Sequence, residues 1–320
     1  MVKISRYSII DSNNLPLLGF PTLDDINLRW LFSQNSEEIL QFLAHNGLIQ
    51  NKMMCLNCSN NMALTKRSRK KDGFEWRCQQ CQSFFHNSAL SLTQMFTIIY
   101  MWIEDYRNKN AVKELDMATY TIVNFFNFCR QQCSKQAKIG GKNKVVEIDE
   151  TCWTKMKHHR GKTKKGSQIW MFGAIERGEG GQAFCVQVKN RKRRTLFRQI
   201  RKWIRPGTVI ISDEWPAYLK MSLHLPQYEH LLIRHKKTTG GGFSKIITLP
   251  NGTEFNVNTN KCEGMWAQLK QKTKRIHGTS IKLTESYMHE QIFRLNARAK
   301  GLSVFKAFVD LLHFNYNFND

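Results

Sequence analysis

The segment KVVEIDE (residues 144–150) decides the fold of the larger part of the chain. Its valines and isoleucine form an apolar run of strand length, and Asp149 stands where the strand ends. GTVIISDE (207–214) repeats this arrangement, because a second apolar run ends at Asp213. The two segments predict buried strands of one sheet, each with a carboxylate at its end.

The sequence around these strands predicts an α/β domain over residues 144–300. Its other elements are expected, in chain order, at QIWMFGAIE (168–176), QAFCVQV (182–188), the amphipathic helix RRTLFRQIRKWI (193–204), a helix opening at WPAYLKM (215–221), EHLLIRH (229–235), a glycine-containing loop and a helix from about 260 to 276. Strands joined by short turns are antiparallel, whereas later strands need helical crossovers. This gives a mixed sheet flanked by helices, with the first and fourth strands adjacent, so Asp149 and Asp213 converge.

Converging carboxylates predict a site for a hard divalent cation. Two such charges need compensation, and Mg²⁺ or Mn²⁺ prefers oxygen ligands and serves phosphodiester chemistry. A third ligand is expected from the late helix, at Glu263. Asn260, on nearly the same helix face, is the alternative through its amide oxygen. Strand alternation makes Glu147 a secondary candidate and sends Glu150 away from Asp149.

Four of the nine cysteines form two CxxC pairs, Cys55 with Cys58 and Cys78 with Cys81. Two such knuckles supply the four thiolates of a structural Zn²⁺ site. The intervening segment has a turn at Asp72–Gly73 followed by a strand-like FEWRC, as a zinc ribbon requires. Redox chemistry is a weaker alternative, because one CxxC pair would suffice for it.

Five regions are predicted along the chain: a helical N-terminal region (1–50), a zinc ribbon (51–87), a helical DNA-binding segment (88–138), the α/β domain (144–300) and a C-terminal tail (301–320). The helical segment is expected to contain three helices, at 91–107, 110–117 and about 120–134. They are typical of a helix-turn-helix unit, although a plain helical connector fits nearly as well.

The composition favours a polyanionic partner. Lys and Arg number 49 against 25 Asp and Glu, a formal net charge of +24, and such an excess on a folded chain favours nucleic acid. The candidate DNA contacts in the basic segments are Arg191, Lys192, Arg193, Arg194, Lys236 and Lys237. The basic run 188–205 also fits a nuclear import signal or a merely solvated helix face.

The expected compartment follows from what the sequence lacks. No apolar run approaches the roughly 18 residues of a membrane span, and the first residues have no signal-peptide core. An odd cysteine count favours a reducing compartment. We therefore expect an intracellular protein without a membrane partner, nuclear in a eukaryotic host and otherwise cytoplasmic.

Three blocks resemble Merlin-type DNA transposases and the related bacterial insertion-sequence transposases. VEIDET (146–151) is similar to their first-aspartate strand and RPGTVIISDEWPAY (205–218) to their second-aspartate block. NTNKCEGMWAQLK (258–270) is similar to their third block, usually close to H-T-Q-x-I-E-x-x-W-x-x-x-K. Here Asn258 replaces the usual histidine, and Cys262 replaces an isoleucine as a core residue.

The resemblance implies an RNase H-like catalytic domain with a carboxylate triad. Asp149, Asp213 and Glu263 would bind Mg²⁺ or Mn²⁺, with Asn260 at the position of an alternative third member, and Lys270 would approach DNA. The implied activity is cleavage at terminal inverted repeats followed by strand transfer into target double-stranded DNA, by a dimer or larger homo-oligomer. The alternative is a domesticated, non-catalytic DNA-binding protein.

Overall fold

The computed structural model describes residues 9, 21–52, 54, 60–66, 73–77, 90–153, 169–233, 245–248, 252, 254–276 and 278–316. The chain divides into two compact units, one of Met1–Gln132 with Ser303–Asp320 and one of Cys133–Leu302. Within the described ranges no helix combines the length and the apolar character that crossing a bilayer requires.

The first unit is mainly helical. Its helices are α1 (Leu28–Ser33), α2 (Ser36–His45), α3 (Leu92–Ile103), α4 (Asn108–Leu115), α5 (Thr119–Gln132) and, from the C-terminal segment, α10 (Val304–Tyr316). The three predicted helices of the 88–138 segment are thus confirmed as helices. The segment predicted as a C-terminal tail contains α10, which packs against α3 and α5.

Local sequence signals explain where these helices begin and end. Asn35 caps α2, and a capping box joins Asn35 to Glu38 because each side chain accepts the other residue's backbone N–H. Ser91 and Gln94 form the same box at α3. Asp116 ends α4 in the left-handed conformation, with φ of 48°.

A hairpin lies between the two predicted cysteine pairs. Strands β1 (Ala63–Lys66) and β2 (Phe74–Arg77) are antiparallel. Leu64 and Trp76 pair across them and are buried with Leu40 of α2. The predicted strand after Gly73 is therefore confirmed. The four cysteines of the CxxC pairs lie outside the described residues.

The second unit contains a five-stranded mixed sheet. Its strands are β3 (Val145–Cys152), β4 (Trp170–Glu176), β5 (Ala183–Val188), β6 (Val209–Asp213) and β7 (Glu229–Ile233), in the order β5-β4-β3-β6-β7. β5, β4 and β3 are antiparallel neighbours, whereas β6 and β7 run parallel to β3. The predicted adjacency of the first and fourth strands is confirmed, and the arrangement is compatible with an RNase H-like fold.

Helices cover both faces of this sheet. On one face α6 (Arg193–Trp203) buries the predicted apolar stripe of Leu196, Phe197 and Ile200 against alternate strand residues such as Ile148. On the other face α8 (Asn260–Arg275) and α9 (Thr284–Ala299) bury Cys262, Trp266 and other side chains. Cys262 is fully buried, so the prediction of a core cysteine is confirmed.

Two local predictions differ from the structure. The segment expected to open a helix at 215–221 forms turns, and only the short α7 (Met221–His224) is helical. Within the expected glycine-containing loop, β8 (Lys245–Thr248) and β9 (Glu254–Val257) form an antiparallel hairpin. β9 has only four residues. An alternation of polar and apolar side chains over so short a segment does not distinguish a strand from a loop.

Candidate active site

Asp149 and Asp213 lie near the carboxyl ends of two neighbouring parallel strands. β3 and β6 pair Val145 with Val209 and Glu147 with Ile211, and the same register continued places Asp149 opposite Asp213. The adjacency of β3 and β6 agrees with the predicted convergence, and the charge of Asp213 is near enough to raise the pKa of Asp149.

Asp149 has an unusual carboxyl group. Burial raises its pKa to about 6, and the charge of Asp213 adds to the rise. The Glu150 backbone N–H opposes it by donating to Asp149 Oδ1 at 2.7 Å. The Trp266 indole also lowers the pKa, yet its buried Nε1 lies outside hydrogen-bond geometry with any acceptor in the described part of the chain. A cation bound between Asp149 and Asp213 would stabilise the charged form of the Asp149 carboxyl group.

Arg191 contacts one buried acid and two tryptophans near the aspartate pair, and we call this set of contacts the Arg191 clamp. Its guanidinium donates to Glu150 Oε2 at 2.9 Å and stacks over the rings of Trp215 and Trp170, with centroid distances of 3.7 and 4.7 Å. The Glu150 side chain is 1% exposed. Burial raises its pKa to about 7, while Arg191 lowers it. Arg191, predicted to contact DNA, thus holds a buried acid inside the domain.

The same clamp reaches Asp213. The Trp215 backbone N–H donates to Asp213 Oδ1 at 3.1 Å, and the Trp215 indole N–H donates to the carbonyl of Arg191 at 3.1 Å. Asp213 is therefore oriented by a residue that is itself fixed by Arg191. The sequence gives no signal for this network, because Trp170 and Trp215 lie far from Arg191 along the chain.

Helix α8 is docked on β3 along its length. At its start, the backbone N–H of Cys262 donates to Glu147 Oε2 at 2.9 Å. In its middle, Trp266 packs over Gly173, the β4 residue that pairs with Asp149. Further on, Lys270 Nζ donates to Thr151 Oγ1 at 2.6 Å. The helix thus follows the strand that carries Asp149.

Glu147 is a structural acid in this arrangement. It is fully buried, and Arg177 Nε donates to its Oε1 at 2.6 Å. Arg177 also donates to the carbonyl and the side-chain oxygen of Asn258. Glu147 shares the Asp149 face as predicted, but its carboxylate oxygens accept from Arg177 and from Cys262. Both oxygens therefore join α8 to the sheet.

The expected third ligands lie in the first turn of α8. Glu263 and Asn260 are both exposed. Glu263 shares a helix face with Trp266 and Lys270, and so projects on the side of α8 that follows β3. Among the residues the structure describes, no three His, Cys, Asp or Glu side chains form a group that could hold a metal ion.

The predicted DNA contacts have different environments. Lys192 and Arg194 are exposed at the start of α6. Arg193 Nε donates to the carbonyl of Ala217 at 3.2 Å. Lys270 is bound to Thr151, as described above. Lys236 and Lys237 lie outside the described residues.

Comparisons with known proteins find a family match that lies within the second unit. Residues 139–296 match the model of the ISXO2-like transposase domain. The Male abnormal protein mab-31 of Caenorhabditis elegans is 26% identical over 231 residues, which cover 62% of this chain and 53% of that protein. The chain thus spans about half the length of this curated relative.

Proposed function

Because residues 139–296 match the model of the ISXO2-like transposase domain, we propose that the protein is a metal-dependent DNA transposase. It cleaves phosphodiester bonds at the ends of a mobile element and transfers the freed strand into target DNA. The observation that carries the proposal is the position of Asp149 and Asp213 near the carboxyl ends of two neighbouring parallel strands in that region.

The donor set fits a hard divalent cation. Asp149 and Asp213 offer carboxylate oxygens that repel each other, and the burial of Asp149 disfavours its charged form without a counterion. We assign both as Mg²⁺ or Mn²⁺ ligands, with Glu263 as the third and Asn260 as its alternative. When bound, such a cation activates an attacking hydroxyl and stabilises a leaving oxygen.

The chain's own residues provide the rigid frame for this chemistry. Trp215 and Arg191 orient Asp213, while Glu147 and Trp266 fix α8 beside β3. A preorganised site does not have to rearrange as charge develops on the phosphate. We therefore assign the third ligand to α8, because the helix that carries Glu263 is fixed beside β3.

DNA recognition is assigned to the first unit and the cationic surface. We propose that Cys55, Cys58, Cys78 and Cys81 bind Zn²⁺ next to the β1–β2 hairpin and that α3 to α5 contact the element's end. The exposed Lys192 and Arg194 supply sequence-independent phosphate contacts. Two ends have to be paired for transposition, so the active species is a homo-oligomer.

The test is a cleavage assay with Mn²⁺ on a labelled duplex carrying the element's end. Asp149→Asn and Asp213→Asn are each expected to lower the cleavage rate at least 1,000-fold, about 4 kcal/mol of barrier. Glu263→Gln is expected to do the same, and Glu229→Gln, exposed on β7, to retain the wild-type rate.

Three other outcomes change the proposal. Retained cleavage in Glu263→Gln together with loss in Asn260→Ala moves the third ligand to Asn260. Tight binding of the end by a wild-type protein that never nicks it identifies a domesticated DNA-binding protein. Wild-type cleavage in both aspartate variants contradicts the assignment of the active site.

A further inference from the structure

A cleft lies in the second unit, on the face of α8 that is turned away from Glu263 and Lys270. It encloses about 780 Å³ between α8, α9 and the turn that joins β4 to β5. This volume is in the range of roughly 300–1,000 Å³ typical of small-ligand pockets. Neither the triad nor the clamp at Arg191 uses it.

The lining of this cleft combines an apolar floor with polar and cationic walls. Ile175, Met265, Leu269 and Leu295 supply the apolar part. The walls carry three glutamines and three cations, namely Gln268, Gln271, Gln291, Lys261, Arg294 and Arg298. The apolar side chains suit a flat ring. The glutamine amides and the cations suit a ligand that carries hydrogen-bonding groups and a negative charge.

The charges of the cleft favour an anion at its rim. Lys261 and Arg298 are exposed there. The acid in the lining, Glu176, is already neutralised, since Lys144 Nζ lies 3.0 Å from its Oε1 and Gly140 donates to its Oε2. Arg294 is buried and paired with Glu290 at 3.0 Å. The cleft therefore keeps excess positive charge at its mouth.

One donor in the lining still needs an acceptor. The side-chain nitrogen of Gln291 is buried and has no hydrogen-bond partner among the described residues. A buried amide donor without an acceptor is unfavourable, and it is commonly satisfied by a ligand or a water molecule. Gln291 lies on α9 and lines the cleft, and a rotation of its side chain toward the cleft would bring this buried amide to a bound group.

Gly264 is a further sign that something approaches the cleft closely. It lies within α8, where glycine is a poor helix former. A Cβ atom at Gly264 would meet no atom within 4 Å. Packing inside the protein therefore gives no reason for glycine at this position, whereas a ligand lying against the helix would.

We propose that this cleft binds one unpaired nucleotide of the DNA substrate. The base lies on the apolar floor with its edge toward the glutamine amides, and its phosphate meets Lys261 and Arg298. A paired base cannot enter such a cleft, because it has to leave the duplex stack first. The inference rests on the proposed function, since it takes DNA as the substrate, and it adds a second recognition site to it.

The experiment compares two DNA hairpins by fluorescence anisotropy without added Mg²⁺ or Mn²⁺. Both hairpins have a stem closed by a non-nucleotide linker; one stem is fully paired, and the other carries a single unpaired thymidine. The full-length Asp149→Asn protein is expected to bind the second hairpin at least 5-fold more tightly. Gly264→Leu, which fills the cleft, is expected to reduce this preference below 2-fold while the affinity for the paired hairpin is unchanged.

Two variants complete the design. Gly264→Ala adds only a methyl group where the base would lie against the helix, so it should reduce the preference less than Gly264→Leu does. Gln291→Leu removes the amide at similar volume and should weaken the preference, which serves as the measurement if Gly264→Leu does not fold. Equal affinity for both hairpins, or a preference that survives both Gly264→Leu and Gln291→Leu, overturns the cleft assignment. Neither result bears on cleavage by Asp149 and Asp213, which the separate activity assay measures.

Discussion

At the residue scale, Arg191 shows how a charge in a basic run can serve the interior. The run 188–205 carries many cations, and sequence analysis assigned Arg191 to DNA. In the structure its guanidinium pairs with the buried Glu150 and stacks between Trp215 and Trp170. The neighbouring Arg194 stays exposed. Members of one charge run therefore have different roles.

Replacement of Arg191 is expected to destabilise the fold. Arg191→Ala leaves the Glu150 carboxylate buried and unpaired, and removing one partner of such a pair costs about 2–4 kcal/mol of unfolding free energy. The loss should be smaller at pH 5 than at pH 8, because protonating Glu150, whose pKa is already raised to about 7, removes the buried charge. Urea unfolding at both pH values measures it.

Arg194→Ala is the matched control for this prediction. It removes the same side chain from the exposed start of α6 and should change the unfolding free energy by no more than about 0.5 kcal/mol. An Arg191→Ala protein as stable as Arg194→Ala at pH 8 would show that Glu150 does not depend on the ion pair.

At the element scale, the active site depends on how closely α8 approaches the sheet. Gly173 on β4 makes the approach possible. A Cβ atom there would lie 2.6 Å from a ring carbon of Trp266 and 2.7 Å from the Met265 methyl group. Because Gly173 pairs with Asp149 across the strands, the contact lies beside the carboxylate that we propose as a metal ligand.

Gly173→Ala is expected to push α8 away from β3. Overpacking of this kind costs about 1–3 kcal/mol of unfolding free energy, and the displaced helix should lower the cleavage rate by at least 10-fold. Gly264→Ala in the same helix meets no atom and should raise stability by up to about 1 kcal/mol. Unfolding and single-turnover cleavage measure both effects, and equal behaviour of the two variants would contradict this view of Gly173.

The β1–β2 hairpin is a second element with a testable dependence. Among the strand side chains whose burial is described, Ala63, Leu64 and Trp76 are buried, and a metal bound by the flanking CxxC pairs is expected to add to the stability of the hairpin. Purified protein should contain one zinc ion per chain by elemental analysis, and Cys78→Ser should lose it. Cys152→Ser, in the other unit, should keep it. A metal-free wild-type protein that binds DNA normally would rule out a zinc ribbon.

At the scale of the whole molecule, stability should respond to pH through His230 on β7. Burial lowers the pKa of His230 to about 4 from the usual 6.5, and its Nε2 lies 2.9 Å from Ser212 Oγ. Between pH 4 and 6.5 the unfolded chain binds a proton that the folded chain does not. The stabilising contribution of neutral His230 is therefore complete above about pH 6.5 and is lost as the pH falls toward 4.

The difference between wild type and His230→Gln isolates this effect, since other titrating groups are common to both. The stability advantage of the wild type should shrink by about 1–2 kcal/mol from pH 7 to pH 4, a figure reduced for the partial exposure of the ring. Chemical unfolding across this range measures it. A constant difference would mean that His230 titrates alike in both states.

The amino-acid sequence alone determined the strands and the two aspartates of this protein. Alternation and apolar runs are local properties, so β3 to β7, α6 and α8 were predictable from side-chain period. The adjacency of β3 and β6 was also predicted, and with it the convergence of Asp149 and Asp213, whereas the full strand order was not. A four-residue strand such as β9 is too short for its side-chain alternation to be recognised in this way.

Only the tertiary structure decided the partners of the buried charges. Arg177 meets Glu147 across 30 residues of sequence, and Cys262 meets the same acid across 115. These pairings depend on which faces of the helices and strands pack together. Neither composition nor the spacing of residues along the chain predicts that packing. The same reason explains why Arg191 could be predicted as a surface cation when it is a clamp, and why Glu147 could be a candidate ligand when it fastens a helix.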